Sequence, residues 1–368
     1  MSTKKDKFSL KDRFYMELAL DLAKAREGLT GLNPSVGCVI VKKDKIISIG
    51  QTSFKGRPHA EFNAIKQCID DLNGSKMYVT LEPCCHHGLT PPCTNIIIKS
   101  KISEVIYSVA DIDKRVRNKS LKILKSNNIK VKKGLLQDKI NNFYSNYFFN
   151  RKYKLPYVTG KIAISKNNLI YSKSNKKITN KHSDQFTHLL RYKNDALLVS
   201  YKTLNKDNSK LNCRIKDFSN YSPKRIILDN KLQTKINSYV IKTANRENTI
   251  IFYNQADKSK VLNFRKKKIQ LIKSKINKQG KFDFKTILKR LYSNNCRNLL
   301  IEGGNNLTNY LLKNRIFNKF YLYKSPKNLS KETEYLKFNG LDVLKKNYKN
   351  KFNLNLSLGE DKITLYKN

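Results

Sequence analysis

The chain has 368 residues, 39% of them hydrophobic, enough for ordinary buried cores and long enough that two domains are the better expectation. Its formal net charge of +47 comes from lysines spread along the whole length, which argues against a localised nucleic-acid-binding arm and for a diffuse basic field that attracts phosphorylated metabolites. No uncharged stretch is long enough to span a bilayer, Met1-Ser2-Thr3-Lys4-Lys5 lacks the apolar core of a signal peptide, and the seven scattered Cys do not read as a disulfide framework, so a cytoplasmic protein is expected.

Phe14, Leu18, Leu22 and Ala25 share one face of a helix expected over 11–26, which Gly28 and Gly31 end. Asn33-Pro34 then leads into 36–41, a β-branched run typical of a buried strand. Residues 46–50 should pair with it through Lys43-Asp44-Lys45. Pro58 opens a second helix whose first turn carries His59 and Glu61. Its apolar side runs through Phe62, Ile65 and Ile69, with Cys68 as a small core residue. Residues 77–81 read as a strand that delivers Glu82-Pro83-Cys84 to the same end of the sheet. Strand 104–108, helix 120–126 and strand 129–131 complete an alternation that predicts a layered α/β domain.

The stretch 81–93 reads L-E-P-C-C-H-H-G-L-T-P-P-C, and upstream stands the triplet His59-Ala60-Glu61. One imidazole, two thiolates and a spare carboxylate suit a catalytic zinc, which takes three protein ligands and leaves its fourth position to water. Zinc-dependent nucleobase deaminases use a H-x-E triplet, then P-C and a further Cys, with the Glu moving protons. On that pattern His59, Cys84 and Cys93 are the expected metal ligands and Glu61 the catalytic carboxylate. Cys85, His86 and His87 are the rival donors, and the His pair is expected instead to shape the pocket mouth. Two other readings share these residues: a tRNA adenosine deaminase, and a non-catalytic binding protein whose zinc has protein ligands only.

The usual P-C-x-x-C is lengthened here to span Cys84 to Cys93. Together with the N-P-x-V-G-C-V-I-V segment from Asn33 and the E-P-C-x-H-x-G-x-T-P-P-C string from Glu82, this resembles the bifunctional riboflavin-biosynthesis deaminase/reductase family. The resemblance implies an α/β chain with a cytidine-deaminase-like three-layer α/β/α domain over 1–150 and a dihydrofolate-reductase-like α/β domain over 151–368. It further implies zinc-dependent deamination of a phosphoribosyl-pyrimidine, then NADPH reduction of its ribosyl group to ribityl, in a homodimer or larger homo-oligomer. Asn33 would line the substrate pocket, although from its own context it is equally a residue preceding a turn-forming Pro. The family's glycine-bearing loop after Asp111 is Val116-Arg117-Asn118-Lys119-Ser120 here, so a rearranged backbone is expected there.

Residues 138–154 read as a helix linking the two halves. Strands are then expected at 157–164, 196–200, 225–228, 249–253 and 298–302 with helices between, and a closing hairpin of 352–358 and 362–366 about Gly359. A looser resemblance to the family's reductase lies in Lys161, Ser165, Ile178-Thr179, Leu190-Arg191, Leu228-Asp229 and Ile301-Glu302-Gly303-Gly304. It implies that Arg191, Leu211, Arg214 and Glu302 bind substrate, the two guanidinium forks taking its phosphate and ribose end. NADPH would be held by Ala163, Thr203, Asp207, Asn230 and the turn Gly304-Asn305-Asn306-Leu307-Thr308, which opens a helix at 307–312. The family's S-L-D-G is Ser165-Lys166-Asn167-Asn168 here, a Trp is Lys177 and D-D-P is Asp207-Asn208-Ser209. These departures allow a reductase domain of weakened or lost activity.

Overall fold

The computed structural model describes residues 7–174, 177–356 and 358–368. The chain divides into two units, the first ending at Lys154 and the second running from Leu155 to Asn368.

The first unit is built from α1 (Leu10–Ala25), β1 (Gly37–Lys42), β2 (Lys45–Gln51), α2 (Ala60–Gln67), β3 (Lys76–Leu81), α3 (Cys93–Lys99), β4 (Glu104–Val109), α4 (Lys119–Ser126), β5 (Lys130–Lys133), α5 (Gln137–Phe143) and α6 (Ser145–Tyr153). Its five strands lie in the order β2-β1-β3-β4-β5, with β1 antiparallel to β2 and β3, and β3, β4 and β5 parallel. Almost every residue of β1, β3 and β4 is buried, as in strands covered on both faces. Two glycines mark the two covering layers. A Cβ on Gly37 would strike the backbone of Ala19 and Ala23 in α1, whereas one on Gly50, whose partner is Cys38, would strike Ala60 and Ala64 in α2.

That close approach corrects the expected face of α1. Its buried side is Tyr15, Met16, Ala19, Leu20 and Ala23, while Phe14 and Ala25 are exposed and Leu18 and Leu22 lie at the margin. The small Ala19 and Ala23 are what let the helix sit on Gly37, so the core side is set by small residues rather than by the largest ones. The second helix is also shorter than expected. It starts at Ala60 with His59 as N-cap, Pro58 lying outside it, and it stops at Gln67 because Cys68 turns extended. Cys68 is half-buried rather than in the core, and Ile69 is 98% exposed. The expected linking helix is two helices, α5 and α6, that break at Tyr144. The ring of Tyr144 is buried there, and its hydroxyl shares a hydrogen with Thr80 Oγ1 at 2.6 Å and lies 2.9 Å from the carbonyl of Ser35.

The second unit runs β6 (Tyr157–Ile164), β7 (Leu169–Ser172), α7 (Lys181–Tyr192), β8 (Ala196–Ser200), α8 (Tyr201–Asp207), β9 (Lys224–Leu228), α9 (Tyr239–Lys242), β10 (Thr249–Tyr253), α10 (Lys258–Lys266) and β11 (Gln270–Lys273). It closes with α11 (Phe284–Ser293), β12 (Asn298–Ile301), α12 (Asn305–Lys313), β13 (Lys319–Lys324), β14 (Tyr335–Lys337), α13 (Leu341–Asn347), β15 (Asn350–Asn353) and β16 (Lys362–Lys367). Nine strands form one sheet, β11-β10-β9-β8-β12-β6-β13-β16-β15, parallel from β11 to β13 and antiparallel at β16 and β15. Its central strands feed two cores, because alternate residues leave opposite faces. Leu198, Ile226 and Leu299 enter one core; Leu197, Ile227 and Leu300 enter the other.

Strands β7, β11, β13 and β14 were not expected from the sequence, and α12 starts two residues earlier than 307. The closing hairpin pairs Asn350–Asn353 with β16, the N–H of Leu354 still donates to the carbonyl of Ile363 at 3.0 Å, and residues 355–356 lie outside the strand. Among the described residues no helix is long and apolar enough to cross a membrane.

Candidate active site

In the first unit three elements end at one point. His59 caps α2, Cys93 is the first residue of α3, and Cys84 follows the end of β3. His59 Nδ1 lies 3.5 Å from Cys84 Sγ and 3.4 Å from Cys93 Sγ, and all three donor atoms fall within 4.8 Å of one another. A tetrahedral zinc with ordinary Zn–S and Zn–N bonds sets such atoms about 3.5 Å apart, so the trio fits that ion. Cys85 stays outside the cluster, its Sγ turned 3.5 Å from the carbonyl of Arg115. His86 lines the cavity beside the trio, whereas His87 does not.

The site's electrostatics follow from burial and close contact. Glu61 is 4% exposed, and desolvation pushes its carboxyl up to about 7, His59 opposing and Cys84 reinforcing the shift. The Cys84 thiol is drawn down to about 4, first by hydrogen bonding from Cys93 and against its burial, then by His59. Cys93 is pushed up by its bond to Cys84 and by burial. The backbone N–H of Cys93 also donates to Cys84 Sγ at 3.2 Å.

A cavity of about 380 Å³ opens from His59, Cys84 and Glu61. Asn33 lines it while donating from Nδ2 to the carbonyl of Gly56 at 2.9 Å, so it both faces the cavity and holds a glycine with φ +93°. The rest of the wall includes Arg57, Asp111, Asp113, Arg115, Tyr147 and Arg151, none of which stood out as site residues in the sequence. Arg115 is clamped by Asp113, with Nη2 to Oδ2 at 2.6 Å; the Tyr147 hydroxyl donates to Asp111; and the Arg151 guanidinium lies against the Tyr147 ring. Tyr147 and Arg151 stand four apart on α6, a spacing that places them on one helix face.

The loop that lost its glycines is anchored by Glu82. Both carboxylate oxygens of this buried residue accept bonds: Oε1 from Ser120 Oγ at 2.5 Å, Oε2 from the N–H groups of Asn118 at 3.0 Å and Asp111 at 3.3 Å. Asn118 takes the left-handed turn, φ 58°, that a glycine adopts more readily.

In the second unit Ala163, Thr203, Asp207, Glu302 and Gly304 line a cleft of about 300 Å³, together with Lys161. Asn230, Asn306 and Leu307 line another, of about 390 Å³. Arg191 and Glu302 form a buried two-pronged pair, Nε to Oε1 and Nη2 to Oε2 both at 2.8 Å. Against the cost of burial, Arg191 holds the Glu302 carboxyl down at about 2. Of the other expected residues, Leu211, Arg214, Asn305 and Thr308 do not border these two clefts. Leu211 packs in the hydrophobic core, the Arg214 Nη1 donates to Asn212 Oδ1, and the Asn305 side chain accepts from the N–H of Asn339. Buried Thr308 closes its own turn by donating to the carbonyl of Gly303 at 3.1 Å. Lys177 pairs with Asp184 at 2.9 Å.

A three-donor metal cluster beside a buried carboxylate, followed by a second α/β unit with clefts at its strand ends, defines the class: a zinc-binding deaminase joined to a reductase. Residues 9–109 match the cytidine and deoxycytidylate deaminase zinc-binding region, and residues 156–359 match the RibD C-terminal domain. The chain is 33% identical over 318 residues to the riboflavin biosynthesis protein RibD of Aquifex aeolicus, covering 86% of this chain and 87% of that one. It is likewise 33% identical over 321 residues to the RibD of Actinobacillus pleuropneumoniae, covering 87% and 85%. Acinetobacter baumannii RibD superposes with a TM-score of 0.82 at 25% identity, covering 97% of this chain and 98% of that one. A Thermotoga maritima diaminohydroxyphosphoribosylaminopyrimidine deaminase/5-amino-6-(5-phosphoribosylamino)uracil reductase does so at 0.81 and 26% identity, with the same coverage.

The chain belongs to the RibD family of bifunctional riboflavin-biosynthesis enzymes. It is a hydrolytic zinc deaminase and an NADPH-dependent oxidoreductase in one polypeptide, a reading these relatives support over a tRNA adenosine deaminase.

Proposed function

We propose that His59, Cys84 and Cys93 hold the zinc and that Glu61 moves the protons of a deamination that converts a diaminohydroxyphosphoribosylaminopyrimidine to the corresponding uracil. The observation that carries this is the convergence of the three donors within 4.8 Å beside Glu61 at the floor of an open cavity. Zinc supplies the Lewis acidity that brings the pKa of water towards neutrality. Water adds its oxygen at the amino-bearing ring carbon, the C–N bond breaks, and ammonia leaves. Glu61, buried and lining the same cavity as His59 and Cys84, is placed both to accept the proton water loses and to return one to the departing nitrogen. Asn33 lines the cavity where it can orient the ring, and the arginine-lined rim suits the ribosyl phosphate.

Replacing Glu61 by Gln should leave zinc content intact and slow ammonia release by ~10²–10⁴-fold. Full activity in that variant removes Glu61 from the mechanism.

In the second unit, NADPH supplies the reducing equivalent that turns the ribosyl group of 5-amino-6-(5-phosphoribosylamino)uracil into a ribityl chain. Ala163, Thr203, Asp207 and Gly304 border the cleft offered to it, and Glu302, fixed by Arg191, borders the same cleft on the substrate side. Arg214, close enough to Arg191 and Glu302 to feel their charges, would meet the substrate's phosphate and ribose end beside them, and buried Leu211 would fix the backbone before Asn212, whose carbonyl accepts from Arg191 Nη1 at 3.1 Å. Following ammonia release with and without NADPH, and NADPH oxidation where it is present, tests the two activities independently. We place the enzyme in the cytoplasm as a homodimer or larger homo-oligomer with small-molecule partners and no nucleic acid, a state that sedimentation and salt-dependent filter binding will check.

A further inference from the structure

The cleft bordered by Glu302 has one side that does not belong to the main sheet. Lys161, Ile162 and Ala163 line it from β6, while Thr203, Lys206 and Asp207, three and four residues apart, line it from one face of α8. Ile170, Tyr171 and Leu336 line it from β7 and β14, which pair with each other as a separate two-stranded sheet. Two strands alone are marginally stable in water, so the position of that side depends on what holds it.

The two ends of this small sheet are held differently. At its base, Ser165 Oγ accepts from the N–H of Leu169 at 2.9 Å, both residues being fully buried. Asn167 binds Leu329 twice, Nδ2 donating to its carbonyl at 2.8 Å and Oδ1 accepting from its N–H at 3.1 Å. Phe338 enters the core, and its N–H donates to the carbonyl of Asn168 at 2.9 Å. Beyond this base every residue of β14 is exposed. There Lys206 reaches across from α8, with Nζ 3.1 Å from Glu334 Oε1 and 3.2 Å from the centre of the Tyr171 ring. The N–H of Lys173 donates to the carbonyl of Glu334 at 2.9 Å, so a hold on Glu334 is a hold on both strands. The ion pair is open to water, the Lys206 side chain being 33% and the Glu334 side chain 65% exposed, and is therefore weak and screened by salt. The cleft it closes, about 300 Å³, lies at the lower end of the range for small-ligand sites, yet it has to admit both a nicotinamide and a ribosyl group.

We propose that Lys206, Glu334 and Tyr171 form a latch that keeps the β7–β14 sheet closed against α8, and that the dinucleotide enters and leaves this cleft only while the latch is open. The inference rests on the dinucleotide reading of the second unit. A buried anchor at one end and a weak, exposed contact at the other make a flap that opens without unfolding its base. Because the latch breaks before entry and before exit, and re-forms with or without ligand inside, it sets both rates and leaves affinity nearly unchanged.

The test is stopped-flow fluorescence of NADPH with the full chain at low ionic strength, without pyrimidine so that no turnover occurs. Glu334→Gln should raise the entry and exit rates together by roughly two- to fivefold, with Kd moving by less than about twofold. The native exit rate should approach that of the variant as salt is raised. Glu332→Gln removes the same charge from the same segment, at a residue with no ion pair among the described residues, and should leave exit at the native rate; it separates the latch from a general gain in attraction for an anion. In a Lys206→Met background Glu334→Gln should have no further effect on exit. Native exit in Glu334→Gln, an equal rise in Glu332→Gln, a rise confined to entry, or an undiminished effect in the Lys206→Met background overturns the latch alone. Failure of NADPH to bind the native chain overturns the dinucleotide reading with it.

Discussion

Replacing Glu82 tests how the metal-bearing segment is tied to the pocket wall. In Glu82→Ala the Ser120 hydroxyl and the Asn118 N–H, bonded at 2.5 and 3.0 Å in the native protein, lose a charged acceptor in a buried setting. The Asp111 bond is long at 3.3 Å and adds little. Two buried donors left unsatisfied cost about 1–3 kcal/mol each, so the loop should lose roughly 2–6 kcal/mol of local stability. At 1.4 kcal/mol per factor of ten, a mid-range loss of about 4 kcal/mol speeds exchange of the Asn118 amide by several hundredfold or more. Because Asp113 and Arg115 on that loop line the cavity, KM for deamination should rise while zinc stoichiometry stays at the native level. Glu82→Gln, which keeps one acceptor oxygen but turns an N–H group toward a donor, should fall between. Hydrogen exchange read by mass spectrometry and steady-state ammonia release make the assay. Native exchange at Asn118 together with a native KM in the alanine variant refutes the tether.

Gly50→Ala should lower the melting temperature and the zinc content together, because its Cβ would collide with the backbone of Ala60 and Ala64 in the helix that presents His59 and Glu61, an overpacking worth about 1–3 kcal/mol or more. Thermal melts and metal analysis check it. For pH, burial and then Arg191 and Arg214 hold His188 down at about 4, against 6.5 for a free imidazole. The unfolded chain therefore takes up a proton first, and stability of the second unit should fall as pH drops from 6.5 to 4. His188→Gln should flatten that slope in pH-dependent melts. Glu302, held at about 2 against 4.5, contributes stability that is lost only as pH falls below 4.5, so the two groups separate on the pH axis.

The metal trio was legible because its residue types are rare and its spacing narrow, and the alternation of apolar runs exposed most of the parallel strands. The phase of α1 was not, since Ala19 and Ala23 weigh little in a periodicity of large side chains yet decide how closely the helix meets Gly37. Strand β13, Lys-Phe-Tyr-Leu-Tyr-Lys, was not among the expected strands; it is buried because β6 and β16 flank it, a pairing only tertiary structure supplies. Arg57, Arg115 and Arg151 reach one cavity from three distant segments, and nothing local marks them as neighbours. Leu211, expected on the substrate, has a left-handed backbone that turns its side chain into the core.

Some of the lysines that make up the diffuse basic field fall on the margin of a sheet. One of the two outer strands of the first sheet, β5, reads Lys-Val-Lys-Lys. An open strand offers unpaired N–H and C=O groups to any similar strand it meets, and like charge along it makes such stacking unfavourable. Lys130, Lys132 and Lys133 thus give that rim of the first sheet protection against the intermolecular β-pairing that an open strand otherwise invites.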